Sequence, residues 1–457
     1  MTATRTLAML LLVVPAAAFA ADPSNGIYRI PFVDGTAMKV NQDHLTHSPT
    51  GRIDLGAAGG APRIAAAADG RVEGIVDTNS ARQDSGDGVT CNNNYIWLSH
   101  ANGEWTKYTH MKKGSISGKA GLAVGNSVKA GQYLGDYGEV GCASGPHLHF
   151  EVAVPPSAPP FFSPVGGFIT GGNARNRNPR ICGTKTGFFV KGESYTARAV
   201  PGMLPSGRPE VARHGLPIDD FQCLFDQASR AGYEPVVLDM FDSGGNTYVN
   251  AVFRPAAGAG ATAHGMTAAG YQKKFDEMKA AGFRLVLVES YRDDGVRYAA
   301  VWHKGSGPAQ AAYHGKSAAE HQALLDDLTG KGYRPRSISV VSDGGARRYT
   351  AMYEKADLGS WQAKSQLTPA EYQALFNEND GKGRQVVYLN GYNHDGAPFL
   401  VAIWNAKTGA ASKARHGMSG AGYQTEYDGA RARGLLTRTV TGYRDGGGVR
   451  YAAVWRK

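Results

Sequence analysis

His147 and His149 occupy alternate positions in Gly145-Pro-His-Leu-His-Phe150. On a β-strand that spacing turns both imidazoles to one face, so the pair addresses a single site. Imidazole near neutral pH either ligates a metal or carries a proton. Three more groups precede the pair in chain order: His47 and Asp54 within Thr46-His-Ser-Pro-Thr-Gly-Arg-Ile-Asp-Leu55, then Trp105-Thr-Lys-Tyr-Thr-His110-Met111, then Val128-Lys-Ala-Gly-Gln-Tyr-Leu-Gly135. Four separated elements in this order form a far more specific signal than any one histidine.

Over about residues 27–155 this set resembles the lysostaphin-like zinc endopeptidases, the family that includes the beta-lytic proteases. The resemblance implies Zn2+ as cofactor, His47, Asp54 and His149 as its ligands, and His110 and His147 as catalytic histidines. Many members place the first histidine four residues before the aspartate; here Thr50 stands there, His47 is seven residues before Asp54, and His44 is three further away. Three nitrogen and carboxylate ligands leave a tetrahedral position open, which marks a catalytic rather than a structural zinc site. Zinc there brings the pKa of a water to about 7 and polarises a scissile carbonyl. A neutral imidazole can take the proton and return it to the leaving amine. His147 is assigned as that base, with His110 stabilising the oxyanion or sharing the proton. His100, just before the turn Ala101-Asn-Gly103, is read as structural.

Four cysteines can pair in three ways, and none shows the C-x-x-C spacing of a metal site. Beta-lytic relatives carry cysteines at similar places, which implies a Cys91–Cys142 disulfide bracing the loop before the His147 strand. Cys182 and Cys223 would then pair across the junction between domains.

Residues 1–21 read as a signal peptide: Arg5, an apolar run from Leu7, and Ala18-Phe-Ala20 as an A-x-A cleavage site. That run is too short to span a membrane and no comparable run follows, so no transmembrane segment is expected. The expected location is secreted, with the periplasm as the alternative, and the expected state a monomer. A net charge of +10, dispersed along the chain, suits polyanionic surfaces such as bacterial envelopes. No nucleic-acid motif is present, and none is expected as partner.

The elements that position these residues fall into two parts. A turn-rich stretch, Pro155-Pro-Ser-Ala-Pro-Pro160 and Gly171 to Pro179, follows the first part. Beyond it His-Gly recurs at 214, 264, 314 and 416, with Gln366-Leu367 in its place in the fourth copy, and turn glycines Gly245, Gly295, Gly345, Gly396 and Gly446 define five units of 50 or 51 residues. In the second unit Tyr271, Phe275 and Met278 have helical spacing, Leu285–Tyr291 reads as a strand, and Val296–Trp302 as a strand returning after a turn. So small a unit must share its core with neighbours, in a solenoid or a closed ring. The recurring histidines are read as turn markers and the strand aromatics as core. These units resemble a bacterial tandem repeat that accompanies polyglycine hydrolases and other secreted hydrolases.

The predicted fold class is a mainly antiparallel β catalytic domain followed by α+β repeats, each a helix and a β-hairpin. The predicted limits are 22–185 for the peptidase domain and 192–457 for five repeats. By resemblance, the expected substrate is bacterial peptidoglycan, cut in its stem peptide or cross-bridge, or a glycine-rich peptide, with the repeats binding wall or substrate. Two alternatives stand beside this: an inactive domain regulating another wall hydrolase, and an extracellular protease of glycine-rich proteins.

Overall fold

The computed structural model describes residues 21–59, 62–84, 89–199 and 207–457, so the signal-peptide reading of 1–21 lies, but for its last residue, outside the described residues. Contacts divide the chain into an N-terminal unit, which takes in the described residues through 199 together with Asp219–Gln227, and a C-terminal unit holding the rest. Among the described residues no helix is long and apolar enough to cross a membrane.

One antiparallel sheet of eight strands organises the N-terminal unit. In chain order its strands are β1 (Ala37–Gln42), β2 (Ile53–Ala57), β3 (Gly70–Val76), β4 (Tyr95–Ser99), β5 (Trp105–Thr109), β6 (Ser127–Val128), β7 (Leu148–Ala153) and β8 (Ser194–Thr196). They lie in the order β8-β1-β2-β7-β5-β4-β3-β6. All six residues of β7 are buried. Leu148, Phe150 and Val152 enter the main core with Leu55, Ile96, Leu98 and Tyr108, which leaves His149 and Glu151 on the opposite face. Truncating a ring as fully buried as Phe150 to alanine costs about 3–5 kcal/mol, so this strand is a firm mount for polar groups behind it.

Both implied disulfides are present, Cys91–Cys142 and Cys182–Cys223. Cys223 of the second lies in Asp219–Gln227, a segment that groups with the N-terminal unit. Arg198 and Arg180 reinforce that grouping through ion pairs to Asp220 (2.7 Å) and Asp226 (3.2 Å).

Each repeat contains the expected helix and hairpin plus a third strand. The first comprises β9 (Val211–Pro217), α1 (Ile218–Arg230), β10 (Tyr233–Ser243) and β11 (Asn246–Pro255); the second β12 (Gly260–Met266), α2 (Ala268–Ala280), β13 (Phe283–Arg292) and β14 (Val296–Lys304). The third comprises β15 (Gln310–Lys316), α3 (Ala318–Gly330), β16 (Tyr333–Asp343) and β17 (Ala346–Lys355). The fourth follows as β18 (Trp361–Leu367), α4 (Pro369–Gly381), β19 (Arg384–His394) and β20 (Ala397–Ala406), the fifth as β21 (Ser412–Met418), α5 (Gly420–Ala432), β22 (Leu436–Asp445) and β23 (Gly448–Arg456). Thr267, Ser317, Thr368 and Ser419 cap α2 to α5, each accepting a backbone N–H of the first turn. Glycines at 344 and 345, both at positive φ, make the tight turn joining Asp343 to Ala346.

The five sheets do not hydrogen-bond to one another as strands, yet they close into a ring: β10 packs on β13, β13 on β16, β16 on β19, β19 on β22, and β22 back on β10. Polar side chains replace the missing ladders. Backbone N–H groups of Ser290, Val340, Gly391 and Gly442 donate to the side chains of Ser339, Asn390, Thr441 and Asp239, each on the neighbouring repeat. Histidines of the His-Gly pairs serve the same joints. His314 packs edge-on against Tyr271 and Tyr298, His416 against Tyr372, and His214 against Tyr423 and Tyr451 of the last repeat. The His-Gly pair is therefore a bulge within a strand that packs between repeats, not a turn marker.

Buried in the same girdle, Glu289 accepts from Ser339 and Asn390, both at 3.0 Å. Burial and the charge of Asp239 hold its carboxyl well above the usual range, while burial pushes Asp239 up to about 7. A folded-state pKa above the unfolded one gives stability that is full below about pH 4 and is lost as pH rises through the folded pKa. Melting temperature is accordingly expected to fall between pH 5 and 8, and Glu289→Gln to flatten that decline. Parallel slopes for the two proteins in calorimetry across this range would contradict the assignment.

Candidate active site

Strand register builds the site. Across β7, His149 faces Asp54 of β2 on one side and Thr109 of β5 on the other, and Glu151 faces Lys107. Directly opposed side chains stand about 4.5–5.5 Å apart at Cβ, so the Asp54–His149 contact follows from pairing alone. Their atoms meet at 3.1 Å, His149 Nδ1 to Asp54 Oδ1.

His47 reaches the same place from the loop before β2. Its backbone N–H donates to Asp43 O, and Gly51, at φ 89°, donates back to His44 O. This folded turn absorbs the seven-residue spacing, leaving His47 Nε2 3.6 Å from Asp54 Oδ2. His147 Nε2 lies 3.5 Å from Asp54 Oδ1. His110 follows the end of β5 at φ 68°, a left-handed conformation uncommon for a residue with a side chain. Hydrogen bonds from its N–H to Asn94 O and from Val140 N–H to its carbonyl hold it there. Its ring centroid is 4.6 Å from that of His147 and 5.8 Å from that of His149.

All five residues singled out in the sequence thus converge. His47, Asp54 and His149 form one donor group and His110, His147 and His149 another, with ligand atoms in each lying within 4.8 Å of one another. His44 belongs to neither group. His100, bonded at 2.8 Å to both Asp69 O and Thr106 Oγ1, is likewise outside them.

Hydrogen bonds settle the tautomers. His47, His110 and His147 each donate Nδ1–H to a backbone carbonyl, of Pro49 (2.8 Å), Val140 (2.9 Å) and Gly145 (2.8 Å), which leaves Nε2 with its lone pair. His149 is reversed: Nε2–H donates to Glu151 Oε1 at 2.9 Å, leaving Nδ1 for the site. A neutral nitrogen from His47, a neutral nitrogen from His149 and the Asp54 carboxylate are the hard and borderline donors zinc takes, and the second nitrogen of each imidazole is already fixed by an acceptor. The residues fit the metal.

Electrostatics favour the neutral state of His110 and His47. Burial, and then the charges of His147 and His149, push His110 well down. His47 is also lowered, first by burial and then by the charge of His149. Burial alone would depress His149 too, but hydrogen bonds to Asp54 and Glu151 outweigh it and raise the imidazole. Burial would lift Asp54, yet His149 and the other imidazoles bring it down to about 2.

Glu151 and Lys107 are the participants that the sequence reading missed. Both side chains are fully buried and lie 3.4 Å apart. Lys107 also donates to Gly166 O at 2.9 Å and sits 4.1 Å from the centre of the Phe168 ring. Burial brings its amine down to about 8, against the pull of Glu151. Burial would lift Glu151, but the charges of Lys107, His149 and Arg52 keep it far below the carboxylate range. Its ionised state makes it a strong acceptor for His149. The signal was available, since Glu151 continues the alternation of 147 and 149. Glu151→Gln, which weakens that acceptor, is expected to lower zinc affinity about 10–100-fold; unchanged affinity in a competitive chelator titration would remove Glu151 from this role.

Comparison with known proteins matches residues 48–158 to Peptidase family M23, and 207–256, 257–305, 307–356, 359–407 and 409–457 to the polyglycine hydrolase-like structural repeat. The peptidoglycan DD-endopeptidase ShyC of Vibrio cholerae is 35% identical over 82 residues, which span 18% of this chain and 16% of that protein. Among solved structures, a zinc-containing peptidase from Vibrio cholerae is 24% identical over 29% of this chain and 35% of that one, with a TM-score of 0.18. The catalytic domain of lysostaphin from Staphylococcus simulans is 23% identical over 27% and 71%, also with a TM-score of 0.18.

Proposed function

Since the chain belongs to the family of polyglycine hydrolase-like structural repeats over more than half its length, and carries a Peptidase family M23 domain ahead of them, we propose that it is an exported zinc endopeptidase that cuts peptide bonds of bacterial peptidoglycan. The observation that carries this reading is the juxtaposition of two proton-carrying imidazoles with the His47, Asp54 and His149 donors.

In this reading His47 Nε2, His149 Nδ1 and an Asp54 oxygen hold the zinc. When bound, zinc supplies a Lewis acid that acidifies water and polarises the scissile carbonyl. His147, with Nδ1–H spent on Gly145 O and Nε2 turned to the site, takes the proton of the attacking water and passes it to the leaving amine. His110 is neutral, and its Nδ1–H is committed to Val140 O, so its Nε2 accepts rather than donates. That favours shared proton work over hydrogen-bond donation to an oxyanion. Arg52 (3.8 Å), Lys107 and Asn176 (3.4 Å) surround Glu151 and fix its carboxylate for His149. The repeats tether or orient the wall; the catalytic groups do not require them.

Cleavage of isolated wall set beside cleavage of elastin-like peptides tests the substrate class: preference for wall is the expected result, and equal or better cleavage of the elastin-like peptides would assign a protease of glycine-rich proteins instead. Stoichiometric zinc without hydrolysis of either would move the assignment to a regulator of other hydrolases.

A further inference from the structure

At the end of the ring where the inner strands begin, residues of all five repeats enclose a hollow of about 590 Å³, within the range of small-molecule sites. Sequence-equivalent positions on its wall break the repeat symmetry. Val236, Val286 and Val387 keep an apolar surface, while the matching residues of the third and fifth repeats are Arg336 and Arg438. On one side the charges are balanced, because Arg284 (3.3 Å) and Arg336 (3.0 Å) both bind Glu354.

The other side is not balanced. Arg254 binds Glu210, whose side chain is fully buried, and the charges of Arg254 and Arg456 both act on Arg438. Arg254 meets Glu210 at 2.9 Å, and the backbone and hydroxyl of Thr437 take up the rest of that carboxylate's accepting capacity. Arg438 donates Nη2–H to Lys457 O, but its Nε is buried without a partner. For the Arg456 guanidinium the described residues supply no hydrogen bond or ion pair. Burial and the charges of Arg254 and Arg456 all disfavour the Arg438 cation. With Glu210 spent, the N–H groups of Arg438 Nε and of the Arg456 guanidinium find no acceptor among the described residues. Planar forks with free N–H groups match a carboxylate in two-point fashion.

We propose that this hollow binds a short peptide by its free C-terminal carboxylate, gripped by Arg438 and Arg456, with the peptide body against the valine wall. The site lies wholly within the repeats, so it stands whether or not the peptidase reading does.

Titration calorimetry of the full chain carrying His149→Ala, with trialanine, its C-terminal amide and inorganic phosphate as probes, tests this. Saturable binding of the free acid is expected, with the amide at least tenfold weaker. Arg456→Met should lose at least tenfold and Arg456→Lys less, since lysine keeps the charge but not the fork. Circular dichroism melting checks that each variant is folded. Equal binding of acid and amide, or no saturable binding of either, would overturn the proposal. Phosphate displacing the peptide stoichiometrically would make it a simple anion site and overturn the peptide assignment. Binding that survives unchanged in Arg456→Met would place the peptide elsewhere on the chain.

Discussion

Changing His149 to alanine will strip the protein of zinc and reduce peptide hydrolysis to background. Two of the three metal donors remain, but His149 does more than donate. It bridges Asp54, at 3.1 Å, and Glu151, at 2.9 Å, so its loss also frees the Asp54 carboxylate and leaves Glu151 buried without its imidazole partner. Structural zinc sites bind with about 10–16 kcal/mol; removal of a ligand from a three-residue set should therefore take affinity out of the range where metal is retained through dialysis. Metal analysis after dialysis and cleavage of a short glycine peptide, run on the same preparation, provide the check. Stoichiometric zinc in the His149→Ala protein would show that the donor set is wrongly drawn. Loss of zinc with activity retained would show that the metal is not part of the reaction.

His147→Ala should separate binding from chemistry. His147 stands in the second donor group, not among the three residues assigned to the metal, so zinc content should remain stoichiometric. The rate should fall about 10²–10⁴-fold, the usual contribution of a positioned acid–base group. The drop should appear in kcat more than in KM, since the proton moves only in the transition state. A fall in zinc content parallel to the fall in rate would make His147 a ligand instead of a base.

Much of this site was legible in the sequence because its chemistry is local. The alternation of 147 and 149 pointed both imidazoles at one site; in the structure His149 lies on β7 behind an apolar face of Leu148, Phe150 and Val152, while His147 stands just before the strand begins. The pairing of Asp54 with His149 was not derivable from spacing, since the two lie 95 positions apart and meet only through strand register. Lys107 was hidden for the same reason: a lysine in Trp105-Thr-Lys-Tyr-Thr-His110 reads as a solvated residue until its partner Glu151 is seen across the strand pair.

Among the repeats, the hairpins declared themselves through turn glycines and the helix through the spacing of Tyr271, Phe275 and Met278. The first strand of each did not. Gly260–Met266 contains Ala, His and Gly with one β-branched residue, and its register is broken at His264-Gly265, so no period-two pattern survives. Ring closure was equally out of reach, because Thr441 and Asp239, which help join the last repeat to the first, are separated by 202 positions. Periodicity reports that neighbours must stack; it carries no term for whether the last meets the first.

The measurement that bears most directly on the whole account is the appearance of new amino termini in purified peptidoglycan treated with the zinc-loaded protein, with and without a chelator. Release should stop on chelation and resume when zinc is restored. Absence of new termini from walls both with and without glycine bridges, while zinc remains bound at one per chain, would contradict it.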